Sequence, residues 1–147
     1  MLAAPQKESI IEPLTRPHTV IILDDERATL AALRRSLRGE PYNLLTSDHP
    51  SEVLDWIESR EVALLVTDQR MPEMEGTDLL EEVRRRSPLT MGMLITAYPD
   101  SLHLEPELRR WIRWVVLKPW EDTWLRGILR HLLARRPGPR YPENFGA

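Results

Sequence analysis

The sequence contains no cysteine. That excludes a disulfide scaffold and a thiolate zinc site, and it suits a reducing compartment. No apolar run approaches the roughly 20 residues needed to span a bilayer. The opening stretch, MLAAPQKESIIEPLTRP, holds no h-region of a secretory signal. Neither sign of charge dominates: 20 Lys and Arg face 23 Asp and Glu, for a net charge of −3. Such a balance gives no strong pull toward nucleic acid or anionic membranes. His18, His49, His103 and His131 are scattered without metal-ligand spacing, and none is read as catalytic. Internal repeats and low-complexity tracts are also missing. These absences lead to the expectation of a cytoplasmic protein without membrane or direct nucleic-acid partners.

What is present fits one domain. The chain has 147 residues, 41% of them hydrophobic, enough for a single core of ordinary size. Residues 1–17 carry Pro5, Pro13 and Pro17 and read as a flexible arm. Residues 136–147, within the stretch RRPGPRYPENFGA, read as a flexible tail or linker. The domain is expected over residues 18–135.

Within those bounds short apolar runs alternate with amphipathic stretches. Strands are expected at Thr19–Leu23, Tyr42–Thr46, Val62–Val66, Met91–Ile95 and Trp114–Leu117. Helices are expected at Ala28–Leu37, at Pro50–Ser59 with Ser47 or Asp48 as cap, at Thr77–Arg86, and from Pro119 onward. Their inward faces are Leu30, Leu33 and Leu37; Val53, Trp56 and Ile57; Leu79, Leu80 and Val83; then Trp124, Leu125, Ile128, Leu129, Leu132 and Leu133. Pro99 and Pro106 interrupt the stretch after the fourth strand, so a short fourth helix starting near Glu105 or Pro106 is predicted. Alternation of this kind gives an α/β fold: a parallel sheet between helices, with ligands at the carboxyl ends of the strands.

Those ends carry reactive groups. The first strand runs into Asp24-Asp25, the third into Thr67-Asp68, the fourth into Thr96 and the fifth into Lys118-Pro119. Taken singly, each has a plainer reading as a turn, cap or solvated residue. Converging on one sheet edge, they form a set. Three carboxylates repel each other, and a hard divalent cation such as Mg²⁺ relieves the repulsion. A carboxylate can attack phosphorus to give an aspartyl phosphate. Lys118 and Thr96 then supply a charge and a hydroxyl donor for the new phosphoryl oxygens.

The strings Ile22-Leu23-Asp24-Asp25-Glu26, Val66-Thr67-Asp68-Gln69-Arg70-Met71-Pro72-Glu73-Met74-Glu75-Gly76, Ile95-Thr96-Ala97-Tyr98 and Leu117-Lys118-Pro119-Trp120 resemble the receiver domain of bacterial response regulators. The likeness covers about residues 18–135. It implies a CheY-like, flavodoxin-like fold: a doubly wound five-stranded sheet in the order 2-1-3-4-5, with helices on both faces. It implies that Asp68 is the phosphoacceptor, served by a sensor histidine kinase, a phosphotransfer protein or a small phosphodonor. Asp24, Asp25, Asp68 and the carbonyl of Arg70 would hold Mg²⁺, and Thr96 and Lys118 would meet the phosphoryl group. Arg70, Ala97 and Tyr98 would border the site and tune it. Gly76 would supply a positive φ in the loop, and the Lys118–Pro119 bond would be cis. A downstream effector protein or domain is the implied output, and a homodimer through the last helices is compatible with the sequence.

This chain departs from the family in two places. Val115 stands where many receivers carry an aromatic switch, and Arg110-Trp111-Ile112-Arg113 replaces the usual small residue and glycine. Trp111 and Trp114 therefore read either as core or as a partner face, and Trp120 as a neighbour of the metal site. Two other functions fit less well. A phosphatase or dehalogenase would need a second carboxylate two residues after Asp68, where Arg70 stands. A phosphorylation-independent receiver-like interaction domain remains the alternative.

Overall fold

The computed structural model describes residues 16–135; the expected terminal arm and tail lie almost entirely outside the described residues. Five strands and five helices follow one another in the predicted alternation. They are β1 (Thr19–Leu23), α1 (Arg27–Ser36), β2 (Asn43–Ser47), α2 (Pro50–Ser59), β3 (Leu64–Asp68), α3 (Gly76–Arg86), β4 (Met91–Thr96), α4 (Pro106–Trp111), β5 (Ile112–Leu117) and α5 (Asp122–Ala134). A single 3₁₀ turn, Pro99–Ser101, precedes α4. All neighbouring strands pair in parallel, in the order β2-β1-β3-β4-β5. The chain reverses its direction of growth between β1 and β3, which is where such sheets open a ligand crevice.

Each strand feeds two cores because alternate side chains leave a sheet on opposite faces. Val20, Ile22, Leu64, Val66, Met93 and Val116 pack under α1 and α5. Ile21, Leu23, Leu45, Leu65 and Leu94 pack under α2, α3 and α4. The predicted inward residues of the first three helices are all buried, and so are those of α5 except Trp124. Trp124 is 44% exposed and meets Trp114 edge-on with ring centroids 6.3 Å apart. Trp111 belongs to the core instead, and its indole N–H donates to the Pro88 carbonyl at 3.3 Å.

Several boundaries differ from the sequence reading. β3 begins two residues later than expected and runs through Asp68, because Thr67 and Asp68 continue the pairing with β4. α5 starts at Asp122 rather than Pro119, since the Glu121 carboxylate accepts from the backbone N–H of Trp124 at 2.8 Å and so sets the first turn. The α2 cap is His49 without a side-chain bond; Ser47 instead accepts from the His49 N–H and reaches Glu52. β5 begins at Ile112, and its pairing with β4 shifts register between Gly92 and Met93. The cause is visible at Gly92, where an added Cβ would fall inside the Trp111 ring. A bare backbone there lets the indole lie against β4, and α4 is short and tethered.

The arginine run 84–86 is neutralised in place. Arg84 pairs with Glu81, Arg85 with Glu82 at 2.7 Å, and Arg86 with Glu58 at 2.6 Å and Glu82. Among the described residues no helix is long and apolar enough to cross a membrane. Truncating the two tryptophans should separate their roles in urea unfolding. Trp111→Ala is expected to cost about 3–5 kcal/mol, and Trp124→Ala about 1 kcal/mol or less.

Candidate functional site

The site is assembled by strand register. Leu23 pairs with Thr67, so Asp24 follows β1 beside Asp68, the last residue of β3. Asp68 pairs with Ile95, and Thr96 pairs with Leu117, which brings Thr96 and Lys118 to the same edge. Asp24, Asp68 and Thr96 are buried, whereas Asp25 is exposed. One carboxylate oxygen from each of Asp24, Asp25 and Asp68 lies within 4.8 Å of the others. Lys118 Nζ sits 3.0 Å from Asp68 Oδ1 and 3.1 Å from Asp24 Oδ2. A crevice of about 280 Å³ opens above, lined by Asp25, Glu26, Asp68, Arg70, Thr96, Ala97, Tyr98 and Lys118.

Electrostatics follow from burial and crowding. Burial pushes the Asp24 carboxyl above the usual carboxylate range, and the Asp68 charge adds to the rise. The Glu26 N–H, which donates to Asp24 Oδ1 at 2.9 Å, and Lys118 act in the opposite direction. Burial disfavours the Lys118 ammonium, but its hydrogen bonds and attraction to Asp68 and Asp24 outweigh that cost and hold its pKa above the ordinary lysine value. The oxygen-only donor set, with three carboxylates and one cation, fits a hard divalent ion.

The loop after β3 is held tightly. The Gln69 amide, buried in the loop, accepts from the Thr77 N–H at 2.9 Å and donates to Thr77 Oγ1 at 3.2 Å, while its carbonyl accepts from the Gly76 N–H at 2.9 Å. Gly76 is needed here for a different reason than the predicted positive φ: Gly39 alone among the described glycines has one. An added Cβ on Gly76 would run into the Asp68 carbonyl oxygen, so close backbone approach is the constraint. Across the mouth, the Arg70 guanidinium stacks 4.8 Å from the Tyr98 ring centre. The Thr96 hydroxyl accepts from the Tyr98 N–H at 3.0 Å.

Every site residue singled out in the sequence lies at this edge, and the Lys118–Pro119 bond is cis. Trp120 does not turn toward the acids. Its indole N–H donates to Ser36 Oγ at 3.2 Å and to Asp122 Oδ1 at 3.1 Å, in the seam between α1 and α5. The sequence reading missed Gln69 and Ser36; the only local signal for Gln69 was a threonine one residue after Gly76, where a helix start needs a partner for its first N–H groups.

Because the raised Asp24 pKa means that folding disfavours the ionised form, its charge costs stability at neutral pH, and that cost fades as pH falls through the raised value. Asp24→Asn should therefore raise the melting temperature of the metal-free protein at pH 7. Any stabilisation that added Mg²⁺ brings to the parent should be mostly lost in the same variant. Calorimetric melts with EDTA and with Mg²⁺ read both effects.

The profile of the response regulator receiver domain matches residues 20–130. The hydrogenase transcriptional regulatory protein HoxA of Cupriavidus necator is 35% identical over 113 residues, covering 76% of this chain and 23% of its own length. An uncharacterised response regulatory protein of Staphylococcus epidermidis is 29% identical over 79% of this chain and 47% of its own. The chain thus spans less than half the length of these relatives. Among solved structures, the signal receiver domain of an HD-domain-containing protein from Pseudomonas fluorescens Pf-5 superposes with a TM-score of 0.71 at 27% identity, covering 82% of this chain and 98% of that one. A response regulator protein of Thermotoga maritima, solved in complex with Mg²⁺-BeF, shares the fold with a TM-score of 0.67 at 23% identity, over 78% of this chain and 98% of that one. Register, acidic edge, lysine and profile all agree, and the chain belongs to the response regulator receiver domain family.

Proposed function

We propose that this domain is a phosphorylation switch in a cytoplasmic two-component pathway, with Asp68 as the phosphoacceptor. The observation that carries the reading is the meeting of Asp68 with Asp24, Asp25 and Lys118 at one solvent-accessible edge. Asp24, Asp25, Asp68 and the Arg70 carbonyl would hold Mg²⁺, which would neutralise charge on the transferring phosphoryl group. A Thermotoga maritima response regulator of the same fold was solved in complex with Mg²⁺-BeF, which supports reading this edge as a place for Mg²⁺.

In the forward step an Asp68 oxygen attacks the phosphorus of a phosphohistidine on a sensor kinase or phosphotransfer protein, or of acetyl phosphate. The O–P bond to Asp68 forms as the bond to imidazole or acetate breaks, and the departing group leaves with its electron pair. Lys118, already at hydrogen-bond distance from Asp68, pairs with the added charge. The Thr96 hydroxyl, now accepting from the Tyr98 N–H, offers its proton to a phosphoryl oxygen. Water later cleaves the acyl phosphate, returning the Asp68 carboxylate and inorganic phosphate. The protein catalyses only this transfer and its reversal of state, so it acts as a switch for a downstream effector rather than as a metabolic enzyme.

Incubation with acetyl phosphate and Mg²⁺ should add one phosphoryl group to the intact mass, and Asp68→Asn should abolish the gain. An unmodified parent, with a histidine kinase present as well, would favour the phosphorylation-independent interaction domain. Arg70 and Tyr98 line the crevice and stack on each other beside Asp68, so Arg70→Ala and Tyr98→Ala should each shorten the phosphate lifetime severalfold by admitting water. Dephosphorylation rates equal to the parent's would refute that tuning role.

A further inference from the structure

The geometry points to Trp120 as a positioning residue for Lys118, acting through a half-buried bond to α1; this rests on the phosphoryl-site reading above. Lys118 is clamped on its N-terminal side, where its backbone N–H donates to the Thr96 carbonyl at 2.9 Å. On its C-terminal side Pro119 allows little freedom. The next residue, Trp120, is pinned by its side chain. Its single N–H is shared between Ser36 Oγ and Asp122 Oδ1, at 3.2 and 3.1 Å. Ser36 is buried at the end of α1 and donates to Asp122 Oδ1 at 2.5 Å. Arg126 of α5 closes the seam by donating to the Ser36 carbonyl at 2.9 Å.

The lysine backbone is thus fixed at its own N–H, to β4, and two residues further on at Trp120, in the α1–α5 seam. Its long side chain has many rotamers, and holding its backbone fixed limits where Nζ can go. The carboxylates that would hold Mg²⁺ come from β1 and β3 and do not depend on this clamp. Lys118 Nζ also pairs with Asp24 and Asp68, so loosening it takes a competing cation off those acids; losing the indole bond should weaken the contact to the phosphoryl oxygens without weakening the metal.

Beryllofluoride, a phosphoryl mimic, separates the two effects in the full chain. Mg²⁺ binding is followed by titration calorimetry, and beryllofluoride binding at saturating Mg²⁺ by fluorine NMR. Trp120→Phe keeps the ring packing and removes the N–H. It is expected to bind Mg²⁺ no more weakly than the parent does and beryllofluoride about three- to tenfold more weakly, the worth of one hydrogen bond. Ser36→Ala, which removes the acceptor on α1, should weaken beryllofluoride binding in the same direction, whereas Asp122→Asn, which keeps an oxygen acceptor, should leave the parent's affinity unchanged. In a Lys118→Ala background, Trp120→Phe should cause no further loss. Beryllofluoride affinity unchanged by Trp120→Phe, equal weakening of both ligands, or an additive loss in the double variant would each overturn the positioning role. A parent that takes up no beryllofluoride would overturn the phosphoryl-site reading and this one together.

Discussion

The crowding of carboxylates around one ammonium is the constraint on which this structure turns. Asp24 and Asp68 both reach Lys118 Nζ, at 3.1 and 3.0 Å, while Asp25 stands at the rim. Burial raises the Asp24 pKa and the Asp68 charge adds to the rise, while pairing with both acids holds the Lys118 pKa above its ordinary value despite its own burial. A fold arranged this way spends stability on a site whose charge is balanced only when a further cation arrives. The parallel sheet makes such crowding tolerable, because its rigid strand ends hold the groups apart by register rather than by loop contacts.

The loop that follows Asp68 shows how the rest of the site is kept in place. Gly76 lies against the Asp68 carbonyl, and the Gln69 amide stitches the loop to the start of α3 through Thr77. Thr67 adds a bond from its hydroxyl to the same carbonyl at 2.9 Å. The backbone around Asp68 is therefore fixed on several sides, and the Asp68 side chain is presented by a frame rather than by a mobile turn. On the far side, the indole of Trp120 does comparable service for the segment that carries Lys118.

The face built from α4 and β5 is less like that of the receivers this chain resembles. Trp111 lies against the bare backbone of Gly92 and bonds to Pro88, so α4 is tied to the sheet from its last residue. Val115, where many receivers place an aromatic, packs against the core beneath α4. The large aromatic groups on this edge, Trp114 and Trp124, sit on the α5 side of β5 and pair with each other. This face therefore presents a tethered helix and an aliphatic strand residue in place of an aromatic ring.

Much of this was legible along the chain. The alternation of runs set the α/β class, and the Asp-Asp pair, Asp68, Thr96 and Lys118 were each marked by a strand ending beside them, because period-two and helical patterns are local properties of the sequence. The same local logic failed at Gly76, which serves a close approach between segments and not a positive φ, and at Trp120 and Trp124, whose partners or exposure depend on where α1 and α5 come to rest. Gln69 carried only the weak signal of Thr77, and Ser36 carried none, since a buried hydroxyl is recognisable only once its partner, distant in sequence, is beside it. Composition and spacing thus determined which groups reach the sheet edge. Only the tertiary structure decided which of them touch, because hydrogen bonds and charge pairing act over about 3 Å, a distance that strand register and helix packing set between residues far apart in the chain.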